Sequence, residues 1–212
     1  MSKEPQLVLR SIYAFPPNRF TLGGTAYLIV KNQGNILIDC PIWDAATAEF
    51  VHRLGGVSQL ILTHRGGLSE QLPKIASALN CTVVVQEQEA YLVSHSIQKT
   101  TFHHELTWED GDRIFWTPGH SPGTCCYYHA EHNLLFTGRH LVPNKAGEPS
   151  PLKTPKTFHW KRQLQNVERL TTEFNQDSLT YIMPGANLGR LRGNKFIDQA
   201  YEKLSGLKMD SL

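Results

Sequence analysis

The chain has 212 residues, 40% of them hydrophobic and 19% charged, with a net charge of +2; such values suit a soluble globular protein, here expected as one α/β domain over 1–212. So small a charge sets aside a basic nucleic-acid surface or an anionic-membrane surface. No run approaches the ~18 apolar residues of a membrane-spanning helix, and MSKEPQLVLR has neither an apolar signal region nor a small-residue cleavage site, so a cytoplasmic protein is expected.

In chain order, LVLRSIYAF near Leu7, TAYLIV from Thr25 and NILIDC from Asn35 are short runs of branched and aromatic residues that predict strands. Asp44 is placed to cap a helix running to about Leu54 and ended by Gly55 and Gly56. QLILT from Gln59 predicts a strand. Leu68 to Leu79 then sets Leu68, Leu72, Ile75, Ala76 and Leu79 on one helical face. TVVVQ from Thr82, RIFWT from Arg113, TCCYY from Thr124 and NLLFTG from Asn133 predict further strands. Pro143 to Pro155 is polar and Pro-rich and reads as a loop. Pro155 to Phe174 spaces Phe158, Leu164, Val167, Leu170 and Phe174 as in a helix. LTYIM from Leu179 predicts a last strand, and Gly193 to Leu207 a last helix. The second half repeats the plan of the first, which predicts sheet layers covered by helices.

Among residues that carry chemistry, LILTHRGGLSEQ is the most informative. It reads as a buried strand ending at His64, the start of a metal-binding loop. Arg65, Gly66, Gly67, Leu68 and Ser69 then supply no good ligand for zinc or iron. Cys40, Cys81, Cys125 and Cys126 contain no C-x-x-C and read as free buried thiols. Cys40 lies beside Asp39, but no base pairs with it in sequence, so a structural role is expected. His103 and His104 are adjacent, and on a strand they would face opposite ways. His52, His95, His129, His132 and His159 show no metal-like spacing. Lys153, Lys156, Lys161 and Arg162 read as a solvated basic face.

TAYLIV, NILIDC, QLILTH, FWTPGHSPGTCCYY, NLLFTGRHL and YIMPGANLG follow one another in an order that resembles the metallo-β-lactamase superfamily, from about Phe20 to about Gly189. TPGHSPG followed by a strand and LFTG is the specific part of the match. The resemblance implies a metallo-β-lactamase-like αβ/βα sandwich, two mixed β-sheets with helices on the outer faces and a di-metal site at one edge. Members are mostly metal-dependent hydrolases of lactams, thioesters, lactones and phosphodiesters, so the fold does not name a substrate. The family loop T-H-x-H-x-D-H, the His of TPGH, a bridging Asp in LFTGD and a late His in PGH hold the two ions.

Carried over residue by residue, the ligands that survive are His64 and His120. An ungapped alignment, preferred because some degenerate relatives carry a THRDD loop, puts Gly66 at the second His, Leu68 at the Asp and Ser69 at the third His. Arg139 stands at the bridging Asp and Ala186 at the final His. A shortened loop is the other alignment. HRGGL would then match the family's H-x-GGL, and His64 would be the third His. A guanidinium has no lone pair to donate and stays charged, so Arg139 argues against a metal pair. Its expected partners are Asp39 or an anionic ligand. The implied protein has largely lost its di-metal site and binds an unidentified small molecule or anion, with no cofactor, nucleic acid or membrane partner. The alternative is an ester, thioester or lactone hydrolase with one Zn, Fe or Mn ion on His64 and His120 and a third ligand from His140 or Asp39.

Overall fold

A computed structural model describes residues 3–209. The chain divides into two compact units, Met1–Phe102 and His103–Leu212, each with its own sheet. No helix among the described residues is long and apolar enough to cross a membrane.

The first unit carries a seven-stranded mixed sheet in sequence order: β1 (Gln6–Leu9), β2 (Ile12–Ala14), β3 (Tyr27–Ile29), β4 (Ile36–Ile38), β5 (Gln59–Leu62), β6 (Thr82–Gln86) and β7 (Lys99–Phe102). The first four strands pair antiparallel and the last four parallel. Parallel pairing needs crossovers, and α1 (Ala45–Arg53) and α2 (Leu72–Leu79) provide two of them. Strands covered on both faces lose the alternation of apolar and polar residues, and ILI, LIL and VVV of β4 to β6 are buried throughout. Leu37, Leu60, Leu62, Val83 and Val85 share one core with Phe50 and Val51 of α1 and Leu72, Ile75 and Leu79 of α2. Asp44 caps α1 as expected, accepting from Thr47 N at 2.9 Å. At the other end Asn35 Nδ2 donates to Leu54 O and Gly56 O, occupying carbonyls that the ending helix leaves without partners.

The second unit carries a five-stranded mixed sheet. Its order is β14 (Tyr181–Pro184), β11 (Leu134–Gly138), β10 (Cys125–His129), β9 (Arg113–Trp116) and β8 (Glu105–Thr107). Only β11 and β14 run parallel, and α3 (Trp160–Glu173) lies between them in the chain. Val167 and Leu170 of α3 share a core with Phe115, Cys126, Leu135 and Ile182 of the sheet and with Ala200 and Leu204 of α4 (Ala200–Ser205).

Several boundaries differ from expectation. LVLRSIYAF is two strands, because the chain reverses at Arg10 with a φ of +45°. α2 starts at Leu72, not Leu68, since Arg65–Gly67 forms a 3₁₀ turn and Leu68 is extended. α3 starts at Trp160, not Pro155. His159 is its N-cap, with Nδ1 accepting from Arg162 N, and Phe158 ahead of it is 52% exposed. α4 is shorter than expected, because Arg192, Gly193 and Gln199 take positive φ and Ile197 bridges to Ile182. Within the expected loop Pro143 to Pro155, β12 (Leu141–Pro143) pairs with β13 (Pro149–Pro151).

Candidate functional site

In the first unit, Asp39 and His64 lie just beyond the carboxyl ends of the adjacent parallel strands β4 and β5. Ligands of open α/β sheets bind at such strand ends. Asp39 takes a φ of +57° and its amide donates to Ile61 O at 2.8 Å. The carboxylate is buried and accepts from Thr63 N at 2.8 Å through Oδ1 and from Thr63 Oγ1 at 2.7 Å through Oδ2. The same hydroxyl lies 2.9 Å from His64 Nδ1. An ionised carboxylate only accepts, so the Thr63 proton goes to Asp39 and His64 Nδ1–H donates to the hydroxyl oxygen. In the neutral ring the other nitrogen, Nε2, then carries the lone pair. Thr63 is a positioning residue that the sequence reading missed, although it is the Thr of the LTH motif.

The turn after His64 folds onto this carboxylate. A Cβ on Gly67 would fall 2.5 Å from Asp39 Cγ, so only glycine admits this approach. Cys40 N donates to Gly67 O at 3.2 Å. Arg65 faces away, its Nε 3.5 Å from buried Glu89. Ser69 Oγ accepts from Gln71 N, and Leu68 packs on the apolar core. Leu68 and Ser69, which the resemblance aligns with later ligands of the family loop, are thus engaged in core packing and in the turn. Burial pushes the Cys40 thiol up to about 12, which removes it as a nucleophile near neutral pH. All four cysteines are free and buried, as expected.

In the second unit, the TPGHSPG loop is a closed turn. Ser121 N donates to Thr124 Oγ1 at 2.8 Å and Thr117 N to Thr124 O at 2.8 Å. The start of α3 rests on this loop. His159 N donates to Gly119 O and Phe158 N to His120 O, and a Cβ on Gly119 would fall 2.6 Å from Gln163 N. Gln163 Nε2 reaches on to His140 O at 3.0 Å. His140 is fully buried, and among the described residues neither ring nitrogen finds a hydrogen-bond partner. Burial, with smaller effects from Arg169 and His120, depresses its pKa to about 3, so the ring is neutral. His140 thus lies within electrostatic reach of His120. Arg139 is half-buried directly after Gly138, at the end of β11. Gly185, before buried Ala186, donates its amide to Gly138 O at 2.7 Å, so the ends of β11 and β14 close on each other.

His103 and His104 are not on a strand. They lie between β7 and β8, with ring centroids 4.1 Å apart and both beside Trp116. His129 and His132, in which the sequence spacing showed no metal pattern, converge with Glu131 at the turn between β10 and β11. The sequence signal was H-x-E-H, legible only once a 3₁₀ turn is known to bring its ends together.

A family model described as metallo-beta-lactamase superfamily matches residues 106–173. A lactamase-like protein of Pestalotiopsis microspora is 25% identical over 170 residues, covering 72% of this chain and 50% of that protein. One from Arthroderma benhamiae is 28% identical over 143 residues, covering 64% of this chain and 32% of that protein. The chain thus spans half or less of the curated relatives it matches. A Sulfolobus tokodaii metallo-beta-lactamase superfamily protein matches with a TM-score of 0.67 at 14% identity, covering 93% of this chain and 84% of the other. A Thermus thermophilus metallo-beta-lactamase family protein matches with a TM-score of 0.65 at 17% identity, covering 97% and 80%. These structural likenesses show the expected fold class, two mixed sheets with helices, and nothing finer.

Proposed function

The chain belongs to the metallo-β-lactamase superfamily, and from that premise we propose that it is a non-catalytic or weakly active binding protein that has lost the family's di-metal site. The donor set does not fit two ions. Gly66, Leu68, Ser69 and Ala186 offer no strong ligand, and Arg139 stands where the resemblance puts the bridging carboxylate. Two dications beside a guanidinium, without a carboxylate between them, repel. The observation that carries the reading is the loop after His64. It folds as a tight turn with Gly67 against Asp39, and Asp39 is itself held by Thr63.

The charge of Arg139 is balanced by a small anionic ligand such as phosphate, which the guanidinium grips as a fork. No nucleic-acid or membrane partner is proposed, given the near-neutral net charge. Four free thiols support residence in the reducing cytoplasm. Thermal melts with added phosphate or sulfate test this. A rise in Tm that disappears in Arg139→Gln supports anion binding there. Identical melts with and without the anions count against it.

A second reading rests on one observation. His140 is neutral, buried and near His120, and the tautomer of His64 leaves a lone pair on Nε2. By the family resemblance alone, His64 and His120 would be ligands of a single ion, which would supply an activated water for hydrolysis of an ester, thioester or lactone. Zinc-dependent turnover of a simple aryl ester that is lost in His120→Asn favours this reading over the first.

A further inference from the structure

At the opposite end of β10 from the TPGHSPG loop lies a second cluster, independent of the function proposed above. His129 ends β10, Ala130–His132 forms a 3₁₀ turn, and Asn133 at a φ of +54° returns the chain into β11. The turn brings one ligand atom each of His129, Glu131 and His132 within 4.8 Å of one another. The Glu131 carboxylate approaches both rings, its Oε2 4.0 Å from His129 Nε2 and its Oε1 3.9 Å from His132 Nε2.

His129 is the anchor. It is 1% exposed, and its Nδ1 faces both oxygens of buried Asp112, at 2.9 and 3.0 Å. Asp112 also accepts from Ala130 N at 2.8 Å and from the Tyr127 hydroxyl. A carboxylate so engaged accepts only, so Nδ1 carries a proton, and in the neutral ring Nε2 holds the lone pair. That buried Nε2 has no hydrogen-bond partner among the described residues. The Glu131 carboxylate, 4.0 Å away, is another acceptor. A lone pair facing a carboxylate is unfavourable unless a cation lies between them. A carboxylate that fixes the tautomer of a histidine whose other nitrogen faces outward is the usual outer shell of a metal-bound imidazole.

We propose that His129 Nε2, His132 Nε2 and a Glu131 oxygen bind one divalent transition ion of the zinc class, with water in the fourth position, clamping the β10–β11 turn. Bonds of about 2.0–2.2 Å to a tetrahedral ion set ligands about 3.3 Å apart. The observed 3.9 and 4.0 Å close to that value by rotation of Glu131, whose side chain is 69% exposed. Imidazole and carboxylate donors select zinc or its neighbours over magnesium or calcium, which take oxygen ligands.

The test is titration of the full chain, stripped with a chelator, with zinc chloride alone, reading stoichiometry and Tm. Four proteins are compared: wild type, Glu131→Gln, His132→Asn, and the double variant His64→Asn/His120→Asn. The proposal expects one ion to be lost, or its affinity to fall at least about tenfold, in both turn variants, and to persist in the double variant. Glu131 is exposed, so its variant keeps the test open if His132→Asn folds poorly. Zinc binding unchanged by both turn variants, or no zinc binding by wild type, overturns the proposal.

Discussion

Replacing Gly67 with alanine places a Cβ 2.5 Å from Asp39 Cγ and closer still to Oδ1. Two responses are open. If the carboxylate turns away, it loses the bonds from Thr63 N and Thr63 Oγ1, at 2.8 and 2.7 Å, each worth about 1.5–3 kcal/mol for a charged acceptor. If the turn lifts instead, it loses the Cys40 N to Gly67 O bond and pays an overpacking cost of about 1–3 kcal/mol. The easier route sets the cost, so Gly67→Ala should destabilise by about 2–4 kcal/mol. For a chain of this length that lowers Tm by roughly 5–15 °C. Urea unfolding of four proteins measures it: wild type, Gly67→Ala, Asp39→Ala and the double variant. With the carboxylate already removed, the glycine change should cost less than about 1 kcal/mol. A Gly67→Ala protein within about 0.5 kcal/mol of wild type would refute the close approach of Gly67 to Asp39.

Arg139→Asp should cost about 3–5 kcal/mol if it breaks a buried charge pair; an unchanged Tm would show that the guanidinium is solvated and pairs with nothing essential. His140 gives a pH dependence in metal-free protein. Its folded pKa is depressed to about 3 from 6.5, so below 6.5 the unfolded chain takes up a proton that the fold refuses. Its contribution is complete above pH 6.5 and falls by up to about 1.4 kcal/mol per unit toward pH 3. Urea unfolding at pH 7, 6 and 5 should show a shallower slope in His140→Asn, and an equal slope would contradict the assignment. The four thiols are buried, with Cys40, Cys81 and Cys126 raised to about 12, 11 and 12. A thiol-specific chromogenic disulfide reagent should therefore titrate them only after unfolding, and rapid reaction of the native protein would contradict their placement.

The central strands were legible because β4, β5, β6, β10 and β11 are continuous apolar runs, which sheets covered on both faces require. Strands β7 and β8 were not legible. KTTF and ELT are edge strands with exposed polar residues, and no apolar pattern marks them. Strands β12 and β13 were hidden by their own prolines, Pro143 and Pro149, which meet at the end of the pair. Helix starts were read too early at Leu68 and Pro155, because apolar periodicity continued through turns that precede the caps. At the site, sequence singled out His64, His120, Asp39 and Arg139. It gave no sign of Thr63 as the hydroxyl linking Asp39 to His64, of Gly67 pressed on the carboxylate, or of Gln163 reaching His140. Those roles depend on loop geometry, which residue spacing does not encode. The convergence of His129, Glu131 and His132 was hidden for the same reason.

The central claim is that the family's di-metal site is gone. Elemental analysis of the Glu131→Gln/His132→Asn protein, purified without added metal, tests it most directly, since that variant removes the turn site from the count. The account predicts substoichiometric zinc, iron and manganese. Two tightly bound ions per chain would contradict it.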